Sequence, residues 1–574
     1  MNITNGVVCG MVALLTAACQ PLPEPVVTQS LPDDAFKVET TGFATAVSGY
    51  VRGVTADMAQ DYDMGAAAYI ATLAEDSDNV DLRRRVFELS LLDGNVSTAI
   101  RMARTLPLQT EQAMPALARV VGSLQEGHMD EARITLDYII KLVPDLPQFR
   151  LMDAYVSVAE GKPVPQQVAM LEGFQVPDTL EARKQFHIGR LWLKVGDESK
   201  AKQALEVSNR LEPAALFTTV MLAEMEAGQG NLDTAHQLVE IFRSRNSQAA
   251  LLEDENAALT AGFVHDTQPA TLSQDAALTL FDFGLLVWTQ GAINPARQLM
   301  NMANYLDPTN PYILYYGGVI DEAAGAYTAA QRKYMAINPH SPMVGLAAQI
   351  RLAEVTFRAG DEQQGMVLAK QLQRSRAQVP AIHRVVAEMA YDSGDYRTAL
   401  KAYDTLLKTS DATTVAPPML AAMYFARGAS YERLGRLERA AEDLKMSLVL
   451  NPVNPNVLNY LGYMWAERAQ NLQEATLLLE RAHQAAPDDG AIMDSLGWAY
   501  YQQGQYDKAL PLLEQAADKT PDDATVFLHL GDVYAKQNDI YAAERYWRLA
   551  DKLLKADDDS RIRRDIAQRM RRMR

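Results

Sequence analysis

The chain has 574 residues, 48% of them hydrophobic and 22% charged, a composition that excludes wholesale disorder and a length that exceeds one compact core. A net charge of −18 and a pI of about 5.0 exclude the broad cationic surface that phosphate backbones require, so no nucleic-acid partner is expected. The two cysteines are Cys9 and Cys19, which removes disulfides, thiolate zinc sites and thiol nucleophiles from everything after residue 19.

The aromatic share is 7% while Ala, Leu, Glu, Gln and Met abound, which favours helix over sheet. Residues 7–18 form an apolar run of about a dozen residues, too short to span a bilayer and the length of a signal-peptide core. The segment Leu15-Thr16-Ala17-Ala18-Cys19 resembles the lipobox of bacterial lipoproteins. It departs from that pattern in two ways: Thr16 stands where an aliphatic residue is usual, and no Lys or Arg precedes Lys37. The resemblance implies that residues 1–18 are a signal peptide and that a lipid on Cys19 holds the chain at a membrane. Residues 19–44, with Pro21, Pro23, Pro25 and Pro32 among small and polar residues, are expected to form a partly extended tether.

From there the chain repeats. Gly428, Gly462, Gly497 and Gly531 are separated by 34, 35 and 34 residues. Each is followed by an alanine (Ala440, Ala475, Ala509, Ala543) and then by Ser447, Ala482, Ala516 or Ala550, while Pro452, Pro487 and Pro521 close three units. Tyr431, Trp465, Tyr500 and Tyr534 stand three residues after the glycines. Small residues at fixed offsets let two antiparallel helices approach closely, the aromatic fills the gap, and proline resets the turn. The pattern resembles the tetratricopeptide repeat. It implies an all-α, right-handed tetratricopeptide α-solenoid, a superhelix of about fifteen helix-turn-helix repeats.

Weaker units continue upstream. Gly189, Trp192, Ala201, Ser208 and Pro213 make one, and Gly284, Ala296, Ala303 and Pro308 another. Ala67, Ala99, Ala132, Ala235, Ala329 and Ala399 mark the small second-helix position of others. The expected organisation is a divergent array over residues 45–245, an irregular insertion at 246–272 and a central array at 273–410. A linker follows at 411–418 around Pro417-Pro418, then a C-terminal array at 419–555 and a basic capping helix at 556–574.

Catalytic patterns are scarce. There is no G-x-x-x-x-G-K-[ST], no H-E-x-x-H and no G-x-S-x-G, and the eight histidines lie singly, without metal-ligand spacing. Ser199-x-x-Lys202 and Ser77-Asp78-Asn79 match pieces of a serine–lysine nucleophile set, but in the wrong order and without a following Lys-Thr-Gly. They read as capping residues of repeat helices and their turns. Asp488-Asp489 and Asp522-Asp523 follow unit-closing prolines and read as helix N-terminal charge rather than as general acid and base. No enzymatic activity, cofactor or metal is expected.

A solenoid of this kind offers a concave face lined by the first helix of each unit, so protein or peptide binding is the expected function. With the glycine fixed as the eighth position, the groove-facing residues are Asn459 and Tyr463, then Asp494, Trp498 and Tyr501, then Asp532 and Lys536. The aromatics offer apolar area and flat faces, and Asn and Asp can hold the amides of an extended peptide. Packing of the next repeat explains some of these aromatics equally well. Tetratricopeptide domains that clamp a C-terminal carboxylate use a Lys and Asn set at these positions; the Lys is absent here, which disfavours that ligand. Residues 560–574 carry seven arginines against one aspartate, with Ile562, Ile566, Met570 and Met573 at helical spacing. They read as a cap over the last repeat, with a contact to lipid headgroups or an acidic partner as the alternative.

Tyr460-Leu461-Gly462-Tyr463, Asp494-Ser495-Leu496-Gly497-Trp498 and Leu530-Gly531-Asp532-Val533-Tyr534 resemble a group of proteobacterial tetratricopeptide lipoproteins. The chain looks like the envelope adaptors that hold carboxyl-terminal processing proteases and present cell-wall hydrolases to them. The resemblance implies an outer-membrane anchor at Cys19, a body facing the periplasm and a scaffold with no activity of its own. A scaffold for polysaccharide export, pilus assembly or outer-membrane machinery is the alternative, and a peptidoglycan-acting enzyme on a solenoid the lesser one. Such an enzyme requires a non-repeating block of about 100 residues, and the clearest repeats occupy the C-terminus where it would sit. Self-association is left open.

Overall fold

The reason that helices pair is plainest in the last four repeats. The computed structural model describes residues 40–107, 113–144, 146–213, 215–246, 250–262, 270–409, 415–554 and 560–572. In it Ala440, Ala475, Ala509 and Ala543 are fully buried between the two helices of their pairs. A Cβ added to Gly462 would lie 2.6 Å from Leu479 Cγ, and one added to Gly531 2.5 Å from Trp547 Cδ1. The helices therefore approach to a distance that only glycine permits. The chain reverses inside the pair through a residue of positive φ, such as Gly504 at 75°, a place that Asn538 takes at 62° in the last pair. The next pair then opens on a side-chain cap: Asn454 accepts from the amides of Asn456 and Val457, Asp489 from Ala491 and Ile492, and Asp523 from Thr525. Asp489 and Asp523 are thus caps, and so is Asn79, which accepts from Leu82.

Thirty helices and no strand occur among the described residues; they form fourteen successive pairs, with one short helix and one terminal helix standing alone. They belong to two compact bodies, Met1–Ile382 and His383–Arg574. The first body holds α1 (Thr40–Met58), α2 (Tyr62–Leu73), α3 (Val80–Asp93), α4 (Val96–Thr105), α5 (Ala113–Glu126), α6 (Met129–Leu142), α7 (Pro147–Ala159) and α8 (Val164–Glu172). It continues with α9 (Asp178–Leu193), α10 (Glu198–Leu211), α11 (Leu216–Gly228), α12 (Leu232–Arg245), the short α13 (Glu255–Thr260), α14 (Leu272–Thr289) and α15 (Ile293–Leu306). It closes with α16 (Pro311–Ala323), α17 (Tyr327–Ala336), α18 (Gly345–Arg358) and α19 (Glu362–Ser375). Helix α20 (Pro380–Asp392) leads into the second body, followed by α21 (Tyr396–Thr409), α22 (Pro417–Arg433), α23 (Leu437–Leu450), α24 (Pro455–Ala466) and α25 (Leu472–Ala485). The last are α26 (Gly490–Gln502), α27 (Tyr506–Lys519), α28 (Ala524–Lys536), α29 (Ile540–Leu553) and α30 (Ser560–Arg572).

The first body does not stack in a simple line. Helices α14 and α15 pack across onto α3, α5 and α7, so Phe87, Leu117, Phe149, Phe281 and Leu299 share one buried cluster. Polar ties reinforce the closure: His187 Nε2 lies 3.0 Å from Asp282 Oδ2, and Asp275 is held by Arg190 at 2.8 Å and Lys194 at 2.5 Å. Phe217 of α11 meets Phe186, Phe281 and Tyr312 of α9, α14 and α16 with ring centroids 5.8, 5.1 and 4.5 Å apart. First helices of four pairs thereby close on one aromatic cluster.

Several expectations shift. Residues 1–39, with the expected signal peptide, Cys9 and Cys19, lie outside the described residues, and α1 begins at Thr40, inside the segment expected as tether. Within 246–272, Leu252 donates its amide to the Met343 carbonyl at 2.7 Å, and Arg376 grips Asp254 at 2.6 and 2.8 Å. Residues 250–262 of that stretch are therefore docked on their own body. Pro417 and Pro418 open α22 rather than a linker, because proline lacks only an N–H that the first helical turn leaves unpaired. The small second-helix position falls on Gly65 and Ala330, which are buried, rather than on Ala67 and Ala329. Neighbouring small residues conceal the difference.

Candidate functional site

Helices α24, α26 and α28 are the first helices of the last three pairs, and each touches the next, as the inner side of a curved stack requires. Tyr463, Trp498 and Asp532 each follow the close-contact glycine of their helix, which places them at one register on that side. The structure sorts the seven expected groove residues into three kinds.

Trp498 is part of a stack. Its ring lies parallel to Tyr501 on one side (centroids 4.6 Å apart, 12° between planes) and to His529 on the other (4.0 Å, 16°). Both faces are covered, so the ring is 9% exposed and cannot offer a flat face to a ligand. His529 Nδ1 is fixed in turn by Asp494, at 2.9 and 3.0 Å from its two carboxylate oxygens, and Tyr463 flanks the far side of the imidazole at 6.5 Å. Asp494 is therefore a buried anchor for His529.

Asp532 fastens the end of the body. Its carboxylate accepts from Trp547 Nε1 at 2.9 Å and from Arg569 Nε at 2.8 Å, which ties α28 to α29 and α30. Lys536 is exposed in the last turn of α28, where a cation complements the helix dipole.

Asn459, Tyr463 and Tyr501 remain half-exposed. Burial, followed by the charges of Asp494, Glu467 and Asp523, pushes the Tyr463 phenol up; burial and Asp532 push that of Tyr501 up to about 12. Both stay protonated near neutral pH and can donate. Asn459 Oδ1 and Trp498 Nε1 are buried without a hydrogen-bond partner, an acceptor and a donor whose desolvation each costs about 1–3 kcal/mol until something pairs with them. The arrangement is suited to gripping polypeptide: two phenol donors and apolar ring edges on a rigid stack. Among the described residues no group of three His, Cys, Asp or Glu could hold a metal ion.

Sequence reasoning missed His529 and Arg569. His529 lies two residues before Gly531, the place taken by Tyr460 and Ser495 in the preceding repeats, so nothing in the repeat pattern marks it. Ser199 and Lys202 belong to α10, where Lys202 pairs with Glu226 at 2.6 Å. Among the described residues no helix is long and apolar enough to cross a membrane.

Models of the tetratricopeptide repeat family match residues 387–455 and 497–538, and the second stretch contains Trp498, Tyr501, His529 and Asp532. A tetratricopeptide repeat-containing protein of Pseudomonas aeruginosa is 31% identical over 164 residues, which is 28% of this chain and 26% of that one. The chain thus spans about a quarter of the length of that curated relative. Similar solved structures include MamA of Desulfovibrio magneticus RS-1, 20% identical over 31% of this chain and 97% of its own, with a TM-score of 0.27. A tetratricopeptide repeat protein of Parabacteroides merdae is 15% identical over 52% of this chain and 98% of its own, with a TM-score of 0.33. The chain contains tetratricopeptide repeats, and its fold is an all-α solenoid of such pairs.

Proposed function

We propose that the chain is a non-enzymatic adaptor that binds an extended segment of a protein partner along the inner side of α24, α26 and α28. The observation that carries this reading is the set of half-exposed Asn459, Tyr463 and Tyr501 over the fixed Trp498–His529 stack. Solenoids of this type generally act through such surfaces. The lipobox-like residues ahead of Cys19 support a lipid anchor and a place at the outer membrane facing the periplasm. In that setting the adaptor presents substrates to a carboxyl-terminal processing protease.

The test is capture of periplasmic protein by the purified full chain carrying Cys19→Ser, compared with the same chain carrying Tyr463→Ala and Tyr501→Ala. Loss of a captured protein with unchanged helicity is expected. Undiminished capture by the double variant overturns the assignment of the site.

A further inference from the structure

Helix α30 divides its residues between two sides. Inward, Ile566 is buried and Met570 packs with it against the cluster of Phe527 and Trp547, while Arg569 holds Asp532 and Arg563 donates to the Leu554 carbonyl at 2.8 Å. Outward, Arg564, Asp565, Gln568 and Arg571 are exposed. Residues 560–574 hold seven arginines and no lysine in a chain whose net charge is −18. A terminal cap needs only a polar outer face, which any mixture of Glu, Lys and Gln supplies. Arginine rather than lysine at both exposed cationic positions, Arg564 and Arg571, calls for a second reason, and the planar guanidinium is the side chain that binds phosphate bidentately.

We propose that the outer face of α30 docks on the phosphate headgroups of an anionic phospholipid surface. Two observations favour lipid over protein or nucleic acid. A protein interface is built around an apolar centre, and Arg564, Asp565, Gln568 and Arg571 supply none. A polynucleotide requires a broad cationic surface, which the net charge of −18 opposes. The docking differs from that of a helix lying in a membrane surface, because Ile566 and Met570 are held in the fold and do not insert. The contact is electrostatic, reversible and steeply dependent on salt.

The experiment uses the full chain carrying Cys19→Ser, so that no attached lipid contributes, and vesicles of phosphatidylcholine with or without phosphatidylglycerol. Sedimentation with phosphatidylglycerol vesicles at low salt is expected, with release at about 0.5 M salt, where screening acts within about 4 Å. The double variant Arg564→Gln/Arg571→Gln should bind about thirtyfold more weakly, about fivefold for each arginine, with unchanged helicity and Tm. Equal binding to both vesicle types, retention at high salt, or unaltered binding by the double variant overturns the proposal. Tighter arginine-dependent binding to polyglutamate than to the vesicles also overturns it, and assigns the face to an acidic protein.

Discussion

Asn301 of α15 donates its side-chain amide to the main-chain carbonyl of Leu91 at 2.7 Å, a bond that spans 210 residues of sequence. Leu91 lies in the last turn of α3, where carbonyls have no partner within the helix, so Asn301 caps a helix from another part of the chain. Lys333 holds Asn301 Oδ1 at 2.9 Å and Asp321 at 2.6 Å, and Arg297 meets the other oxygen of Asp321 at 2.6 Å. An ideal solenoid touches only its neighbours; the first body is instead clasped shut around a buried polar network.

Replacing Asn301 by Ala leaves the Leu91 carbonyl with one partner fewer in a buried place. The Gly94 amide still donates to that carbonyl, so a loss of about 0.5–1.5 kcal/mol is expected. Thermal unfolding of the full chain checks it, and an unchanged Tm contradicts the role of the clasp.

Glu88 provides a pH signature in the same body. Its carboxyl is 10% exposed and bonded to Arg85 at 2.7 Å; burial nevertheless dominates and pushes it from 4.5 up to about 7, the Arg85 charge offsetting only part. Between pH 4.5 and 7 the folded chain keeps a proton that the unfolded chain has lost, so stability from this group is full below that window and falls as pH rises through it. Relative to Glu88→Gln, the unaltered chain should lose about 3 kcal/mol across the window. Parallel stability–pH curves for the two chains would count against the buried acid.

The glycines of the repeat separate packing from propensity. Gly497→Ala places a Cβ 2.7 Å from Leu513 Cγ and should destabilise by about 1–3 kcal/mol through overpacking. Gly228 ends α11 with nothing within 4 Å of its added Cβ, so Gly228→Ala should stabilise by up to about 1 kcal/mol. Urea unfolding of both variants checks the contrast, and a shift of the same sign in both contradicts it.

Cys19→Ala tests the anchor. Release from the membrane fraction of the native cell is expected, and unchanged fractionation sinks the lipoprotein reading.

Much of this was legible in the last four repeats, because a close-approach glycine and a buried alanine admit few substitutes and therefore repeat visibly. The divergent repeats kept the helix pairs but blurred their register, as the Gly65 and Ala330 positions show. The clasp of Asn301 on Leu91 left no local trace, since a single asparagine in an amphipathic helix carries no sign of a partner 210 residues away. At the site, the glycine register gives Tyr463, Trp498 and Asp532 the same place in their helices. It could not tell that His529 covers the second face of Trp498 or that Arg569 takes Asp532, because both come from positions that the repeat leaves free to vary.

The central claim is that a protein partner lies on the inner side of α26 and not on the outer helices. A photo-crosslinking residue placed at Tyr501, compared in the living cell with one at Leu477, which is 59% exposed on the second helix α25, reads this directly. A discrete protein adduct from position 501 and none from 477 is expected. Adducts from 477 alone, from both positions equally, or from neither contradict it.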